Sequence, residues 1–210
     1  MSDHNKRIGP PSIREVRSHE VKSVAEIHAS ALPNDFLPGL GVNFLKEYYA
    51  YSLELGITNK AKLLGAFEGE RLVGFCQIAF DSISFANITK VNTLLRLFFL
   101  TVFRPQVFIN GLIQYFQSVR FHEGSAEIAF IAVAPACQNS GIGSMLISAA
   151  MEEIREKKIN WLITKTANKN LSLYYQKKLK AQVIKSFTGF GQKYEILKWP
   201  VTPLSRAKFA

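Results

Sequence analysis

The stretch Val133-Ala-Pro-Ala-Cys-Gln-Asn-Ser-Gly-Ile-Gly-Ser-Met-Leu146 constrains this chain more than any other feature. An apolar, strand-like run ends at Val133, a turn with one proline and two glycines follows, and an amphipathic helical pattern begins near residue 141. A glycine-rich turn feeding directly into a helix gathers unpaired backbone N–H groups at one point, and the positive end of the helix dipole adds to them. Such a junction is a seat for phosphate. The plainer alternative is that Gly141 and Gly143 only relieve a tight turn, so the surroundings must decide.

At 210 residues and 48% hydrophobic content, the chain suits one α/β domain with a full core. Its net charge of +10 implies an anionic partner: nucleic acid, an acidic membrane surface or a polyphosphorylated small molecule. Cys76 and Cys137 form neither a metal-ligand pair nor a disulfide framework, so no metal is expected. The polar start "MSDHNKRIGPPS" does not read as a signal peptide, which points to a reduced, cytoplasmic setting. The longest apolar run, Leu94 to Phe103, carries Arg96 and falls short of the ~20 residues of a spanning helix, so no stable membrane insertion is expected.

Strand patterns run over 12–18, on either side of Glu68-Gly69-Glu70 within 61–80, and over 125–133, 161–167, 181–187 and 193–199. Helical spacing covers His19 to Leu32, Val42 to Leu55, 141–157 and 169–178. Between the third and fourth strands, Ser82 to Gly124 is aromatic-rich and reads as a helical insertion; the tail from Pro200 to Ala210 is basic and reads as loose.

This order, β-α-α-β-β-insert-β-α-β-α-β-β with the Gly turn after the fourth strand, resembles the GNAT superfamily of acetyl-CoA-dependent N-acetyltransferases. The resemblance implies a mixed, mostly antiparallel central sheet flanked by helices, an α/β (α+β) fold in one domain. The family pattern Gln/Arg-x-x-Gly-x-Gly/Ala is matched by Gln138, Gly141 and Gly143, which implies that Gln138, Asn139, Ser140, Gly141, Ile142, Gly143 and Ser144 wrap the pyrophosphate of coenzyme A. By the same resemblance, the backbone of Ile131, Ala132 and Val133 pairs with the pantetheine arm and supplies an oxyanion donor, and Asn168 belongs to the cofactor site. A Rossmann site is excluded because Leu146 stands where its third glycine belongs and "WLITKTAN" holds no acid; a P-loop is excluded because no Gly-Lys-Ser/Thr follows.

Attack of an amine on a thioester needs a base to neutralise the amine, a donor for the oxyanion and an acid for the departing thiolate. Glu127, six residues before Val133, matches the position of the catalytic glutamate in the histone acetyltransferases of this superfamily. Its flanks Ala126, Ile128 and Phe130 would raise its pKa, whereas the plainer reading makes it a solvated strand residue among lysines. "NKNLSLYYQKKLKA" resembles the family's Asn-x-x-Ala-x-x-Leu/Phe-Tyr segment and aligns Tyr175 with the tyrosine that protonates the sulfur. Here the family's Tyr-x-x-Leu-Gly-Phe becomes one residue longer and loses its Gly, so Tyr174 stays open for that role.

His28 reads either as an ordinary helix-face histidine or as part of the acceptor site, which the family builds from this helix-loop-helix region. Cys137 adjoins the phosphate seat without a base, and His122-Glu123 reads as a solvated turn. The expected activity is transfer of acetyl from acetyl-CoA to a primary amine. A faint similarity of residues 28–51 to members found among bacterial surface-polysaccharide enzymes favours a small amine such as an amino sugar over a protein or peptide amine. A different class of function is a membrane- or partner-binding acyl-CoA-binding module without catalysis, suggested by the basic, aromatic 88–120 segment; the favoured reading of that segment is a helical hairpin that packs on the sheet, covers the acceptor pocket or makes a homodimer contact. Nucleic-acid binding rests on charge alone and is not expected.

Overall fold

The computed structural model describes residues 10–81, 124–189 and 191–201. The proposed insertion, His122-Glu123 and most of the tail lie outside these residues. In chain order, β1 (Ser12–Glu15) leads through a 3₁₀ turn (Ser18–Glu20) to α1 (Val21–Ala31), the short α2 (Phe36–Gly39) and α3 (Val42–Ile57). β2 (Ala61–Glu68) and β3 (Arg71–Ala79) form a hairpin through Gly69-Glu70, and β4 (Ser125–Val133) follows the undescribed segment. A 3₁₀ turn (Pro135–Cys137), α4 (Ile142–Glu156), β5 (Trp161–Thr166), α5 (Lys169–Leu179), β6 (Gln182–Gly189) and β7 (Gln192–Pro200) complete the order.

The seven strands make one sheet in the order β1-β2-β3-β4-β5-β7-β6. Every pair is antiparallel except β4 with β5. The expected mixed, mostly antiparallel sheet is therefore present, and the helices cover both faces. On one face α4 and α5 bury Leu146, Ile154 and Tyr175 against Cys76, Ile128 and Trp199. On the other, α1 and α3 bury Val24, Leu45 and Tyr49 against Leu63, Phe75 and Ala132.

Two backbone features set up the site. Gly74 on β3 lies under the start of α4: a Cβ there would sit 3.1 Å from the Ala132 carbonyl oxygen and 3.2 Å from the Ile142 side chain, so only glycine lets the helix begin this close to the sheet. On β4, Gln77 pairs with Phe130 while Ile78 pairs with Ile128, so Ala129 is an extra residue in the ladder. A bulge of this kind bends its strand and re-aims the side chains beyond it. It is why Glu127 and Phe130, an odd number of residues apart, can both turn to the α1 and α3 face.

Lys180, at the end of α5, takes the left-handed conformation (φ 58°) at the point where the family pattern has glycine. The Ala181 N–H bonds back to the Tyr175 carbonyl at 3.2 Å, closing the helix despite the missing Gly.

β1 is held to the head of α1 by one acid. The Arg14 guanidinium donates to both Glu20 carboxylate oxygens at 2.9 and 2.5 Å, the Arg17 N–H adds a bond at 2.7 Å, and Arg14 also lies 3.5 Å over the Phe67 ring. The Arg14 hydrogen bonds hold the Glu20 carboxyl down at about 2, below its ordinary 4.5. A depressed carboxylate stabilises the fold above the unfolded value and loses that contribution as pH falls through the folded one. Glu20→Gln should lower stability at pH 7 by about 1–3 kcal/mol. In denaturant titrations the gap from the parent protein should shrink between pH 4.5 and 2.

Candidate active site

The site is built where β4 and β5 part. Their parallel pairing runs from Ser125 opposite Trp161 to Ile128 opposite Thr164 and goes no further. The Thr164 hydroxyl donates to the Ile128 carbonyl at 3.0 Å and finishes the contact. Beyond it, Ile131, Ala132 and Val133 stay paired with Cys76, Phe75 and Gly74 of β3, while among the described residues no strand lies beside their other edge. Backbone groups on such an edge can pair with an extended chain.

At the end of this edge comes the glycine turn. Asn139 (φ 61°) and Gly141 (φ 86°, ψ −7°) are both left-handed, which turns the chain from the 3₁₀ segment into α4 within four residues. The Gln138 side-chain amide donates to the Val133 carbonyl at 3.2 Å and the Ser140 hydroxyl donates to the Cys137 carbonyl at 2.6 Å, so both side chains brace the turn. Among the described residues no side chain caps α4, which leaves its leading N–H groups open. Among the same residues a Cβ built on Gly141 or on Gly143 meets nothing within 4 Å. Ile142 buries its side chain in the core and can contribute only its backbone. An uncapped helix N-terminus after a glycine turn fits a diphosphate.

The two tyrosines divide between separate surroundings. Tyr174 is half-buried, with its hydroxyl 2.9 Å from that of Ser144 in the first turn of α4. Tyr175 is 1% exposed and stacks on Trp199 at 5.4 Å. Burial raises its pKa. Tyr175 shares the α4 and α5 face of the core with Cys76 and Ile128. Asn168 caps α5: its side chain accepts from the Leu171 N–H at 3.1 Å.

Glu127 comes from the opposite face. It is half-buried, desolvation raises its carboxyl, and Lys165 on β5 pulls the other way. Asp35, in the α1–α2 loop, is also raised by burial, while a 3.3 Å bond from the Tyr194 hydroxyl and the charge of Lys165 lower it. Asp35, Lys165 and Tyr194 were not singled out from sequence. They stand up to 159 positions apart, and only the sheet order brings them together. Beneath them, the Tyr48 hydroxyl donates to the Gln77 carbonyl oxygen at 2.8 Å and the Gln77 amide to Ser52 at 2.7 Å.

His28 is fully buried, with Nδ1 2.6 Å from the Tyr49 hydroxyl and its ring 4.7 Å from that of Phe130. Burial lowers its pKa to about 4, so it is a neutral core residue at neutral pH. Cys137 is half-buried beside the turn. Among the described residues no cluster of His, Cys, Asp and Glu could hold a metal ion, and no helix is long and apolar enough to cross a membrane.

A parted pair of parallel strands with a glycine turn at the end of the free edge suits an acyl-CoA-dependent acyltransferase, and the family match gives that class. The Acetyltransferase (GNAT) family matches residues 23–180, and the chain belongs to that family. Solved structures agree on the fold. The PaiA N-acetyltransferase of Thermoplasma acidophilum, in complex with coenzyme A, is 14% identical with a TM-score of 0.58, covering 90% of this chain and 98% of its own. YncA of Salmonella typhimurium, with its cofactor acetyl-CoA, is 13% identical with a TM-score of 0.57, covering 96% and 100%. The ribosomal-protein-alanine N-acetyltransferase of Brucella melitensis is 16% identical with a TM-score of 0.58, covering 90% and 99%. No curated protein matches the sequence.

Gly143 offers the cleaner test of the phosphate seat, because Gly141 also needs its left-handed backbone. Gly143→Val should leave the fold intact and weaken coenzyme A binding by about 10-fold or more, as a β-branched side chain fills the space before the N–H groups. Calorimetric titration with coenzyme A, beside a thermal melt, measures both.

Proposed function

We propose that this protein transfers acetyl from acetyl-CoA to a primary amine of a small molecule such as an amino sugar. The observation that supports the reading is the end of the β4–β5 pairing at Ile128, with an open glycine turn at the start of α4, a desolvated carboxyl on the α1 and α3 face and a buried phenol on the α4 and α5 face. Gln138 to Ser144 hold the diphosphate, with Gln138 and Ser140 bracing the turn and the leading N–H groups of α4 as donors. The free edge of Ile131 to Val133 orients the pantetheine arm and meets the oxyanion with an N–H.

Glu127 takes the proton of the acceptor ammonium through a water; its raised pKa brings it nearer to the pH at which the enzyme would work. Tyr175 gives its proton to the departing thiolate. Burial keeps that proton in place until the sulfur needs it. Tyr174, bonded to Ser144, steadies the first turn of α4. Asn168 acts on the cofactor by fixing the start of α5. The resemblance of residues 28–51 to members among surface-polysaccharide enzymes supports a small amine as acceptor.

Purified protein should bind coenzyme A in calorimetry and release free thiol from acetyl-CoA with members of an amine panel; failure of both would overturn the reading. Glu127→Gln should slow turnover most at low pH, where few acceptor molecules are already neutral, and recover in part as pH rises. A pH–rate profile identical to the parent's would remove Glu127 from the mechanism. Tyr175→Phe should lower kcat by roughly 10²-fold or more with coenzyme A affinity nearly unchanged, and Tyr174→Phe should do little. The opposite ranking in steady-state kinetics would assign the acid to Tyr174.

A further inference from the structure

The charged groups on the α1 and α3 side of the parting define more than a base. Glu127 on β4, Lys165 on β5 and Asp35 in the α1–α2 loop are all half-buried. Lys165 lies two residues beyond Ile163, the β4–β5 partner of Glu127, and opposite Ile196, two residues from the Tyr194 that bonds Asp35, so its charge sits on the same face as both carboxyls and acts on each. Among the described residues, none of the three forms a close ion pair, and the only hydrogen bond to any of these side chains is the one Asp35 accepts from Tyr194. That bond engages one Asp35 oxygen and leaves the other free.

With both acids ionised, two negative charges face one positive charge in a partly desolvated place. Uncompensated charge in such a place is costly, and one further cation removes the imbalance. The chain as a whole carries +10, a field that draws in a polyphosphate and repels an ammonium. Attraction of an amine in its protonated form must therefore come from a local excess of carboxylate, and this is where that excess lies.

We propose that Asp35 is a specificity-determining residue that receives the acceptor's ammonium together with Glu127, with Lys165 balancing the second carboxylate, so that the enzyme selects amines carrying a single positive charge and no neighbouring carboxylate. An amino sugar or an aminoacyl amide meets that requirement. A free amino acid brings a carboxylate that leaves the site one negative charge in excess. Glu127 serves as the proton acceptor and Asp35 as the anchor, because the Tyr194 bond fixes Asp35 whereas Glu127 has no hydrogen bond to restrain it. The inference rests on the reading of the Glu127 side as the acceptor side.

The test uses the full chain with acetyl-CoA and two matched pairs of acceptors, glucosamine with glucosaminic acid and alaninamide with alanine, scored by thiol release and product mass. The carboxylate-free member of at least one pair should be used with at least 10-fold higher kcat/KM than its partner. Asp35→Asn should raise KM for that acceptor about 10-fold and narrow the preference, with kcat and coenzyme A affinity within about 2-fold of the parent. Coenzyme A affinity near the parent value also shows that the variant is folded. Equal use of both members of each pair, activity with neither, or an Asp35→Asn variant with unchanged KM and preference overturns the proposal. Loss of activity in Glu127→Gln together with an unaltered Asp35→Asn would sink this inference alone. Full activity in Glu127→Gln would instead sink the reading beneath it.

Discussion

Two parallel strands that stop pairing partway along their length leave one edge of β4 with no strand beside it among the described residues, and the rest of this structure is organised around that gap. β4 and β5 are joined only as far as Ile128 and Thr164. The extra residue at Ala129 lets β4 bend away while it stays in register with β3. Buried or half-buried backbone groups need partners, so the free edge at Ile131 to Val133 is an invitation to an extended ligand.

The packing on each face keeps that gap in place. Gly74 allows α4 to start close above β3, which sets the uncapped N-terminus of the helix at the end of the free edge. Trp199 and Tyr175 fill the space behind α5, and Ser172 ties the same helix to Glu195 on β7 through a 2.5 Å hydrogen bond. On the other face the buried Tyr48-Gln77-Ser52 chain and the His28–Tyr49 pair hold α1 and α3 to β3. His28, a candidate for the acceptor site on sequence grounds, is fully buried with Nδ1 bonded to Tyr49, which makes it part of the support beneath that site.

Electrostatics acts at two ranges. The net +10 is a long-range field suited to an anionic cofactor. At short range, burial pushes Glu127 and Asp35 upward and His28 downward, so that the same desolvation makes the carboxyls better proton acceptors and the imidazole a neutral one. Arg14 and Glu20 show the contrasting case, in which direct hydrogen bonds outweigh burial and hold the acid ionised.

By itself the sequence determined the order of the strands and the long helices and the glycine turn at the start of α4, because these are local: periodicity 2 or 3.6, and glycines within a few positions of a helix start; the short α2 was not expected. Strand and helix limits differ from the pattern by a residue or two at most ends, and by more at β1, which stops at Glu15 before the chain turns into the 3₁₀ segment. The tertiary structure alone decided where β4 leaves β5, since a register shift depends on the partner strand and leaves no trace in the alternation of β4 itself. It also separated Tyr174 from Tyr175: adjacent helical residues point about 100° apart, and only the position of α5 on the sheet says which of them meets Trp199 and which meets Ser144. Asp35, Lys165 and Tyr194 are single polar residues in unrelated segments, and their electrostatic and hydrogen-bond coupling exists only because the sheet places β5 between β4 and β7, with the α1–α2 loop reaching Tyr194.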